Sequence, residues 1–407
     1  MLSIQQDKLV LFGAGKIGRS FIGQLFSLGG YEVVFVDINK NVIDELNKRG
    51  HYRVIIKSEK EEVLDIYNVR GVHSDDTEKV VDETATAGIV AVSVGQDGLE
   101  SVFPLLSEAL LVRAGIDANY PLDIIIAENM RDADVYFRNR LMSLLPGNYP
   151  FDKMVGLVET SIGKMVPIMQ KKDIQKDILQ VFAEPYNSLI LNKKGFRNPI
   201  PDIPGLAPKD NMKAWVDRKL FIHNLGHSSA AYSGYLHNPE FVYLYEALEV
   251  PSVYKFVLET MQQAAVMLMA KYPGEFAMKD LDDHIFDLLT RFQNKSLGDT
   301  IFRVGCDLMR KLGPQDRLAG AIKTAMELNL PYEKILYALV CGCHFRAKDE
   351  DGHMLNSDIE FVKVYDQGLK TVLTKISGFD EIQYNKVLDE ADLIDLKINN
   401  QRNRNNK

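Results

Sequence analysis

Hydrophobic residues in the first third of the chain fall in short runs that alternate with helical patterns. Apolar, β-branched runs at 8–12 and 32–37 flank a helically spaced segment at 17–28, and a second helical pattern follows at 40–48. This alternation is typical of βαβ units on a parallel sheet, whose buried strands are almost continuously apolar. Further strands are predicted at 88–94, 123–127 and 154–158, with an inserted antiparallel pair at 52–57 and 62–69.

A proline-rich segment separates this region from a part of the chain in which helical patterns dominate. Four prolines stand within 198–208, and such a segment cannot form a helix or a central strand. We therefore predict an α/β domain over residues 1–200 and a mostly α-helical domain over 201–396. Residues 397–407 form a polar tail that is predicted to be disordered. Apolar residues at three- and four-residue spacing predict helices at 211–225, 253–271, 281–292, 317–327, 332–343 and 357–375.

Composition narrows the class of protein. The 407 residues are 46% hydrophobic and 26% charged, which suits a soluble protein with two cores. The net charge of -8 argues against a general nucleic-acid or anionic-membrane surface, so an acidic ligand needs a local basic cluster. The start of the chain lacks a signal-peptide pattern, and no apolar run reaches the roughly 18 residues that span a bilayer. We expect a cytoplasmic protein.

The three cysteines are too few and too uneven in number for a disulfide framework. Cys341 and Cys343, followed by His344, invite interpretation as a metal site, but a second ligand pair at zinc-site spacing is missing. Because they follow an apolar run, we predict that both cysteines are buried helix residues, and we predict no metal site.

A glycine-rich turn follows the first predicted strand. Gly13-Ala-Gly15-Lys-Ile-Gly18 joins this strand to a helical pattern, and Asp37 ends the next strand about 20 residues later. Gly13 permits a tight turn, Gly15 lets a pyrophosphate approach, and Gly18 allows the helix to pack on the sheet. Asp37 would bind ribose hydroxyls and repel a 2′-phosphate, which favours NAD over NADP; the alternative is a structural turn without a ligand. The predicted NAD-binding residues are Gly13, Gly15, Lys16, Ile17, Gly18, Asp37, Ser93 and Gly95.

The segment from Lys219 to His227 carries candidate chemistry for alcohols. On an α-helix, Asn224 lies roughly 140° and His227 roughly 80° around the axis from Lys219. Such a triplet suits removal of a hydroxyl proton, with lysine as base, the amide holding the oxygen and histidine orienting it. The base requires a lysine pKa lowered by burial or by a nearby positive charge. The alternative is a solvated helix face with one hydrogen-bonded histidine.

Together these features resemble the polyol-specific long-chain dehydrogenases, and the resemblance covers nearly the whole chain. Its motifs are Phe12-Gly-Ala-Gly-Lys-Ile-Gly-Arg-Ser-Phe-Ile-Gly23, Ala127-Glu-Asn-Met130, the segment from Asp210 to His227, Arg291-Phe-Gln-Asn294, Arg303-Val-Gly305, Lys311-Leu-Gly-Pro-Gln-Asp-Arg-Leu318 and His344-Phe-Arg346.

The resemblance implies an N-terminal Rossmann domain, a helical C-terminal domain and metal-independent catalysis with NAD in the cleft between them. Lys219 would be the general base, Asn129 and Asn224 would cradle the alkoxide, and His227 would orient the hydroxyl. The implied reaction oxidises a sugar-alcohol phosphate to a ketose phosphate and back, with mannitol 1-phosphate and fructose 6-phosphate as the expected pair. The resemblance implies no nucleic-acid or membrane partner and is compatible with a monomer.

One departure from the family pattern leaves the substrate open. Where the family usually has an Asp-Arg pair, this chain has Gly163 and Lys164, and lysine does not reproduce the planar fork of arginine. The substrate could therefore instead be a hexuronate or an unphosphorylated polyol. A third alternative is that the chain is an NAD-binding protein that has lost catalysis. The candidate cations for a substrate phosphate are Lys164, Arg291, Arg303 and Arg346.

Overall fold

The computed structural model describes residues 2–58, 60–167 and 169–405. The chain forms two compact units, Met1–Val216 and Asp217–Lys407. The strands, all in the first unit, are β1 Gln5–Phe12, β2 Glu32–Asp37, β3 His51–Ile56, β4 Glu62–Tyr67, β5 Val69–His73, β6 Ala87–Val92, β7 Leu122–Ile126, β8 Val155–Ser161, β9 Val181–Ala183, β10 Leu189–Asn192 and β11 Leu206–Lys209.

Within the described residues, eight of these strands form the central sheet of the first unit. Their order is β11-β10-β8-β7-β6-β1-β2-β5, and the strands from β8 to β5 run parallel, while β10 is antiparallel to β8. Apolar side chains cover both faces of this sheet in two core clusters. The predicted α/β domain with a mostly parallel sheet is confirmed.

Helices connect β1 to β2, β5 to β6, β6 to β7 and β7 to β8 of the central sheet, whereas Lys40–Arg49 and Lys171–Lys176 lead to β3 and β9 of the smaller sheet. The first of them opens with a π-helical turn, Gly18–Gly23, directly after the glycine-rich turn. The helices that follow in the first unit are Gln24–Leu28, Lys40–Arg49, Thr77–Ala85, Leu99–Ile116, Ala133–Leu144, Phe151–Met154 and Lys171–Lys176, with short 3₁₀ turns at Gln96–Gly98 and Lys193–Gly195.

The predicted antiparallel pair is present, but it ends earlier than expected. β3 and β4 pair in antiparallel register and β9 joins them in a second, three-stranded sheet. The predicted strand 62–69 stops at Tyr67 because Asn68 takes a left-handed conformation, with φ 56°, which asparagine tolerates better than most residues. Val69 then starts β5, an edge strand of the central sheet that the sequence pattern did not predict.

The proline-rich segment ends in a short strand of the first unit. β11 includes Pro208, which pairs in parallel register with Leu191 of β10. This strand lies at the edge of the sheet, where the missing proline N–H costs no ladder hydrogen bond. The predicted division after residue 200 precedes this strand.

The second unit is helical in its described residues, as predicted, with two differences. The single helix predicted over 357–375 is two helices, because Gly368 between them has φ 110°. The tail predicted to be disordered instead continues the last helix, Asn385–Asn405, as far as residue 405, while residues 406 and 407 lie outside the described residues. The helices from residue 212 onward are Met212–Arg218, the π-helical turn Lys219–Asn224, Leu225–His237, Leu244–Leu248, Pro251–Lys271, Met278–Phe292, Ile301–Gly305, Leu308–Lys311, Ala319–Glu327, Glu333–Cys343, Asn356–Tyr365, Leu369–Lys375 and Asn385–Asn405, with a 3₁₀ turn at Lys295–Leu297.

Candidate active site

The three glycines of the turn after β1 serve three different purposes. Gly13 has φ 100°, and a Cβ there would overlap the Ser93 carbonyl oxygen. A Cβ on Gly18 would overlap the Gly13 carbonyl oxygen, so this glycine lets the helix pack against the turn. A Cβ on Gly15 would meet no atom within 4 Å. The fold itself therefore requires Gly13 and Gly18, whereas the space at Gly15 suits the approach of a pyrophosphate.

Asp37 ends β2 beside this turn. Its carboxylate accepts hydrogen bonds from the Ala14 N–H at 2.6 Å and from the Asn39 N–H at 2.8 Å. The neighbouring Lys16 is exposed and Ile17 is half-buried at the start of the first helix. The predicted placement of a carboxylate next to the glycine turn is therefore present, and the residues fit a dinucleotide whose ribose hydroxyls face Asp37.

The Arg19 side chain links the glycine-rich turn to the segment at residues 178–179, a role that sequence reasoning missed. Its Nε donates to the Ala14 carbonyl at 2.7 Å, and Nη1 donates to the carbonyls of Ile178 and Leu179 at 3.0 and 2.7 Å. Burial lowers the pKa of this arginine, although the three carbonyl acceptors stabilise its charge. A buried arginine directly after a glycine fingerprint is the signal that could have indicated this role.

A buried glutamate connects the loops that follow β6 and β7. Glu128 Oε1 accepts the N–H groups of Val94 and Gly95 at 2.8 and 2.9 Å, and burial raises the pKa of its carboxyl. The N–H of Ser93 donates to the Phe12 carbonyl at 2.8 Å, which ties this turn to β1. Glu128 thus fixes the predicted cofactor residue Gly95, and the Phe12 carbonyl fixes Ser93. The position of Glu128 in the Ala-Glu-Asn motif was the available signal.

Asn129, the predicted alkoxide ligand of the first unit, is exposed at the carboxyl end of β7. Its carbonyl accepts from the Gln96 side chain at 3.2 Å. Glu159, at the end of the neighbouring β8, accepts from the Ala133 N–H at 3.4 Å. Burial, reinforced by Asp134, raises the pKa of Glu159 to about 7. Two buried glutamates therefore support the loops at this edge of the sheet, where ligands bind in open α/β folds.

In the second unit, a π-helical turn changes the geometry expected for the lysine triplet. Lys219–Asn224 is π-helical, and the Leu225 N–H bonds to the Leu220 carbonyl, five residues earlier. In such a turn the backbone hydrogen bonds join residues five apart, so each turn holds more residues than an α-helical turn. Lys219 and Asn224 are therefore separated by a smaller angle around the axis than the roughly 140° expected for an α-helix.

Lys219 is half-buried, and its surroundings favour the neutral amine. Burial is the main cause that lowers its pKa to about 8, and the positive charges of Arg317 and Arg310 act in the same direction. Arg317 Nη1 also lies 3.5 Å from the Asn224 carbonyl and donates to Ser228 Oγ at 3.2 Å. The requirement that sequence analysis set for a lysine base is thus met, and Arg317 is a contributor that it missed.

His227 lies in the helix Leu225–His237, three residues after Asn224. Its Nε2 is 3.1 Å from Asp299 Oδ2, and its ring stacks on Phe292 with centroids 4.5 Å and planes 8° apart. Burial, together with Arg303 and Arg317, lowers the pKa of His227 well below its usual value. The imidazole is therefore neutral near pH 7.

The four predicted phosphate-binding cations lie in different surroundings. Arg291 and Arg303 both contribute positive potential at His227. Arg346 belongs to a separate cluster, where it donates to the carbonyls of Cys343 and Phe345 and lies 4.9 Å above the Tyr365 ring. Lys164, in the first unit, donates to Asn187 at 2.9 Å and lies 5.0 Å from the Phe21 ring centroid.

One further lysine near His227 was overlooked by the sequence analysis. Lys311 is buried and donates to the Val304 carbonyl at 2.8 Å. Burial lowers its pKa to about 8, with a further contribution from Arg317. Lys311 and Arg317 both belong to one quoted motif, Lys311-Leu-Gly-Pro-Gln-Asp-Arg-Leu318, so the motif was the signal.

The prediction that Cys341 and Cys343 are buried helix residues is confirmed. Cys341 and Cys343 are buried in the helix Glu333–Cys343, and burial raises the pKa of the Cys343 thiol to about 12.

Over the described part of the chain, no group of three or more His, Cys, Asp or Glu side chains could hold a metal ion. None of the helices described is both long and apolar enough to cross a membrane.

Comparison with known proteins identifies both units. Residues 7–205 match the family model described as the mannitol dehydrogenase Rossmann domain, and residues 211–396 match the mannitol dehydrogenase C-terminal domain. Among solved structures, mannitol 2-dehydrogenase from Pseudomonas fluorescens, in ternary complex with NAD and D-mannitol, is similar with a TM-score of 0.77 at 16% identity. The alignment covers 98% of this chain and 92% of that one.

A D-sorbitol dehydrogenase in substrate-free form is also similar, with a TM-score of 0.82 at 17% identity. Here the alignment covers 98% of this chain and 94% of the other. At such identities these structures establish a shared fold, while the two family models together match most of the chain. The chain belongs to the mannitol dehydrogenase family and is a dehydrogenase of the polyol-specific long-chain class.

Proposed function

We propose that this enzyme oxidises a sugar-alcohol phosphate to a ketose phosphate, and catalyses the reverse, with Lys219 as general base. The observation that carries the proposal is the half-buried Lys219, whose pKa is lowered to about 8, on a π-helical turn that it shares with Asn224. A lysine in this state can accept a hydroxyl proton near neutral pH, which an ordinary surface lysine cannot.

Each residue has one step in the proposed oxidation. Lys219 accepts the hydroxyl proton while Asn129 and Asn224 donate hydrogen bonds to the oxygen as negative charge develops on it. His227 orients the substrate through a hydrogen bond. When bound, NAD⁺ supplies the acceptor for the hydride that leaves the alcohol carbon. In the reverse direction the protonated Lys219 returns its proton to the oxygen of the ketose.

We propose NAD rather than NADP as the cofactor, held by Gly13, Gly15, Lys16, Ile17, Gly18, Asp37, Ser93 and Gly95. The Asp37 carboxylate supports this choice, because it accepts hydrogen bonds from ribose hydroxyls and repels a 2′-phosphate. The open space beside Gly15 supports the approach of the pyrophosphate to the backbone.

The proposed substrate pair is mannitol 1-phosphate and fructose 6-phosphate. Among polyol-specific dehydrogenases, the sequence motifs most resemble those of mannitol-1-phosphate 5-dehydrogenase. The cations near His227, which include Arg291, Arg303, Lys311 and Arg317, supply the local positive potential that an anionic substrate needs in a protein of net charge -8. Lys164 and Arg346 are the remaining proposed contacts.

Two other substrate classes compete with this pair. The similar mannitol 2-dehydrogenase binds D-mannitol, which favours an unphosphorylated polyol, and a hexuronate carries a carboxylate that the same cations would attract. Gly163 and Lys164, in place of an Asp-Arg pair, are compatible with either. Both alternatives retain Lys219 as base and differ only in the far end of the substrate.

A substrate panel tests the proposal. The purified enzyme with NADH is offered fructose 6-phosphate, fructose, tagaturonate and fructuronate, and kcat/KM is compared. We expect fructose 6-phosphate to give the highest value. A higher value for fructose or a hexuronate would reassign the substrate, whereas NADH binding without turnover of any ketose or polyol would indicate an NAD-binding protein without catalysis.

A further inference from the structure

His227 is held from two sides within the second unit. Its Nε2 faces Asp299 Oδ2 at 3.1 Å, and its ring stacks on Phe292. Asp299 is only 5% exposed, and its other carboxylate oxygen pairs with Arg303. The stacking fixes the plane of the imidazole, and Asp299 fixes which ring nitrogen points toward the protein.

We propose that Asp299 is a positioning residue that holds His227 as the tautomer with its proton on Nε2, which leaves Nδ1 to accept a hydrogen bond from a substrate hydroxyl. This inference rests on the proposed function, because it assigns the direction of one hydrogen bond in that site. It also identifies which hydroxyl His227 recognises.

The tautomer follows from the chemistry of the pair. An ionised carboxylate can only accept hydrogen bonds, so the Nε2 that faces it must carry the proton. Arg303 donates a hydrogen bond to the other oxygen of Asp299, and a guanidinium forms such a charge-assisted pair with a carboxylate. A neutral imidazole has one ring proton, and with that proton on Nε2 the Nδ1 atom has a free lone pair.

The identity of the recognised hydroxyl follows from counting protons. The reacting hydroxyl has a single hydrogen, and in the proposed mechanism this hydrogen goes to Lys219. An accepting Nδ1 on His227 must therefore take its hydrogen from a second hydroxyl of the substrate. Polyols and ketoses offer such a group on a carbon next to the reacting one. His227 and Asp299 together then act as a specificity element for substrates with a neighbouring hydroxyl.

The tautomer can be read without turnover. In the full-length enzyme labelled with ¹⁵N-histidine, the ring nitrogens of His227, assigned with His227→Gln, should show a protonated Nε2 and an unprotonated Nδ1. The amide of Asp299→Asn can donate as well as accept, so this variant should populate both tautomers. A wild-type His227 protonated on Nδ1 would overturn the inference, even if the enzyme turns over fructose 6-phosphate as proposed.

The kinetic test compares substrates with and without the neighbouring hydroxyl. We expect Asp299→Asn to lower kcat/KM for fructose 6-phosphate roughly 10- to 100-fold, the size of the loss when a metal-bound histidine loses the hydrogen-bond partner of its other ring nitrogen. Its discrimination against the 1-deoxy or the 3-deoxy analogue should be smaller than that of the wild type. Asp299→Glu should restore part of the rate.

A matched control separates this role from a general effect of losing an Asp–Arg pair. Asp287 pairs with Arg291 at 3.3 Å with the same i,i+4 spacing, but its side chain is 53% exposed. Asp287→Asn should leave the tautomer of His227 and the deoxy-analogue discrimination unchanged. If Asp299→Asn remains folded and keeps both the wild-type tautomer and the wild-type discrimination, the inference is wrong. An enzyme that turns over none of the ketoses would refute the proposed function, while the NMR result would still decide the tautomer.

Discussion

The pH dependence of catalysis should follow the protonation of Lys219. Because its pKa is lowered to about 8, about one molecule in ten carries the neutral amine at pH 7, compared with about one in 3,000 for an ordinary lysine. Burial and the charges of Arg317 and Arg310 thus enlarge the population of competent base about 300-fold at neutral pH. The gain in rate is smaller than this factor, because a lysine with a lowered pKa is also a weaker base.

The two reaction directions should respond to pH with opposite sign. Oxidation needs the neutral amine, so kcat/KM for the polyol should rise tenfold per pH unit below about pH 8 and level off above it. Reduction of the ketose needs the protonated amine, so its kcat/KM should fall above the same pH. In the complex with NAD⁺ the midpoint should lie at or below this value, because a nearby positive charge disfavours the protonated lysine.

Steady-state rates between about pH 6 and about pH 10 in both directions provide the assay. Lys219→Arg keeps a positive charge that does not titrate in this range. This variant should therefore lose most of its polyol oxidation activity, and its kcat/KM should no longer show a titration midpoint near pH 8. Lys213→Arg, at an exposed position one helical segment earlier, is the matched control and should behave as the wild type. A flat profile in the wild type, or an unchanged midpoint in Lys219→Arg, would refute the reasoning.

Three further predictions concern the dinucleotide side of the first unit. Gly13→Ala should lower the melting temperature because its Cβ overlaps the Ser93 carbonyl, whereas Gly15→Ala should leave the melting temperature unchanged and weaken NADH binding; equal effects of the two would contradict our account. Asp37→Asn removes the charge and keeps one of the two acceptor oxygens, so the kcat/KM ratio of NADPH to NADH should rise about tenfold or more, and an unchanged ratio would argue against charge-based selection. Glu128→Leu removes the acceptor of two N–H groups and should raise the dissociation constant of NADH roughly tenfold, while Glu128→Gln should give a value between those of the wild type and Glu128→Leu. The dissociation constants are measured by NADH fluorescence titration, and an unchanged value in Glu128→Leu would contradict a role of this loop in NADH binding.

The first unit was largely predictable because its signals are local. The apolar runs at 8–12 and 32–37, the glycine spacing between them and Asp37 at the end of β2 are all determined by neighbours along the chain. The strand β5 was not predicted, because the break before it depends on the conformation of one residue, Asn68. Similarly, a helical pattern over 357–375 does not reveal that Gly368 breaks it.

Motifs marked several supporting residues of the site, but their partners were beyond sequence reasoning because these lie far away along the chain. Glu128 accepts from N–H groups 33 and 34 residues away, and Asp299 meets His227 across 72 residues. No periodicity relates such positions. The π-helical turn under Lys219 was equally hidden, since the spacing of polar residues is read with α-helical angles unless the backbone is known. The sequence thus led to the proposed reacting groups, and the structure shows which residues contact and support them.

The most direct test of the central claim is the activity of Lys219→Ala in ketose reduction with NADH. NADH binding and the melting temperature are measured on the same sample, and Lys213→Ala serves as the control. We predict that Lys219→Ala binds NADH normally but loses on the order of 10² to 10⁴ in turnover, while Lys213→Ala keeps wild-type turnover. A Lys219→Ala enzyme with wild-type turnover would contradict the assignment of this lysine as the base.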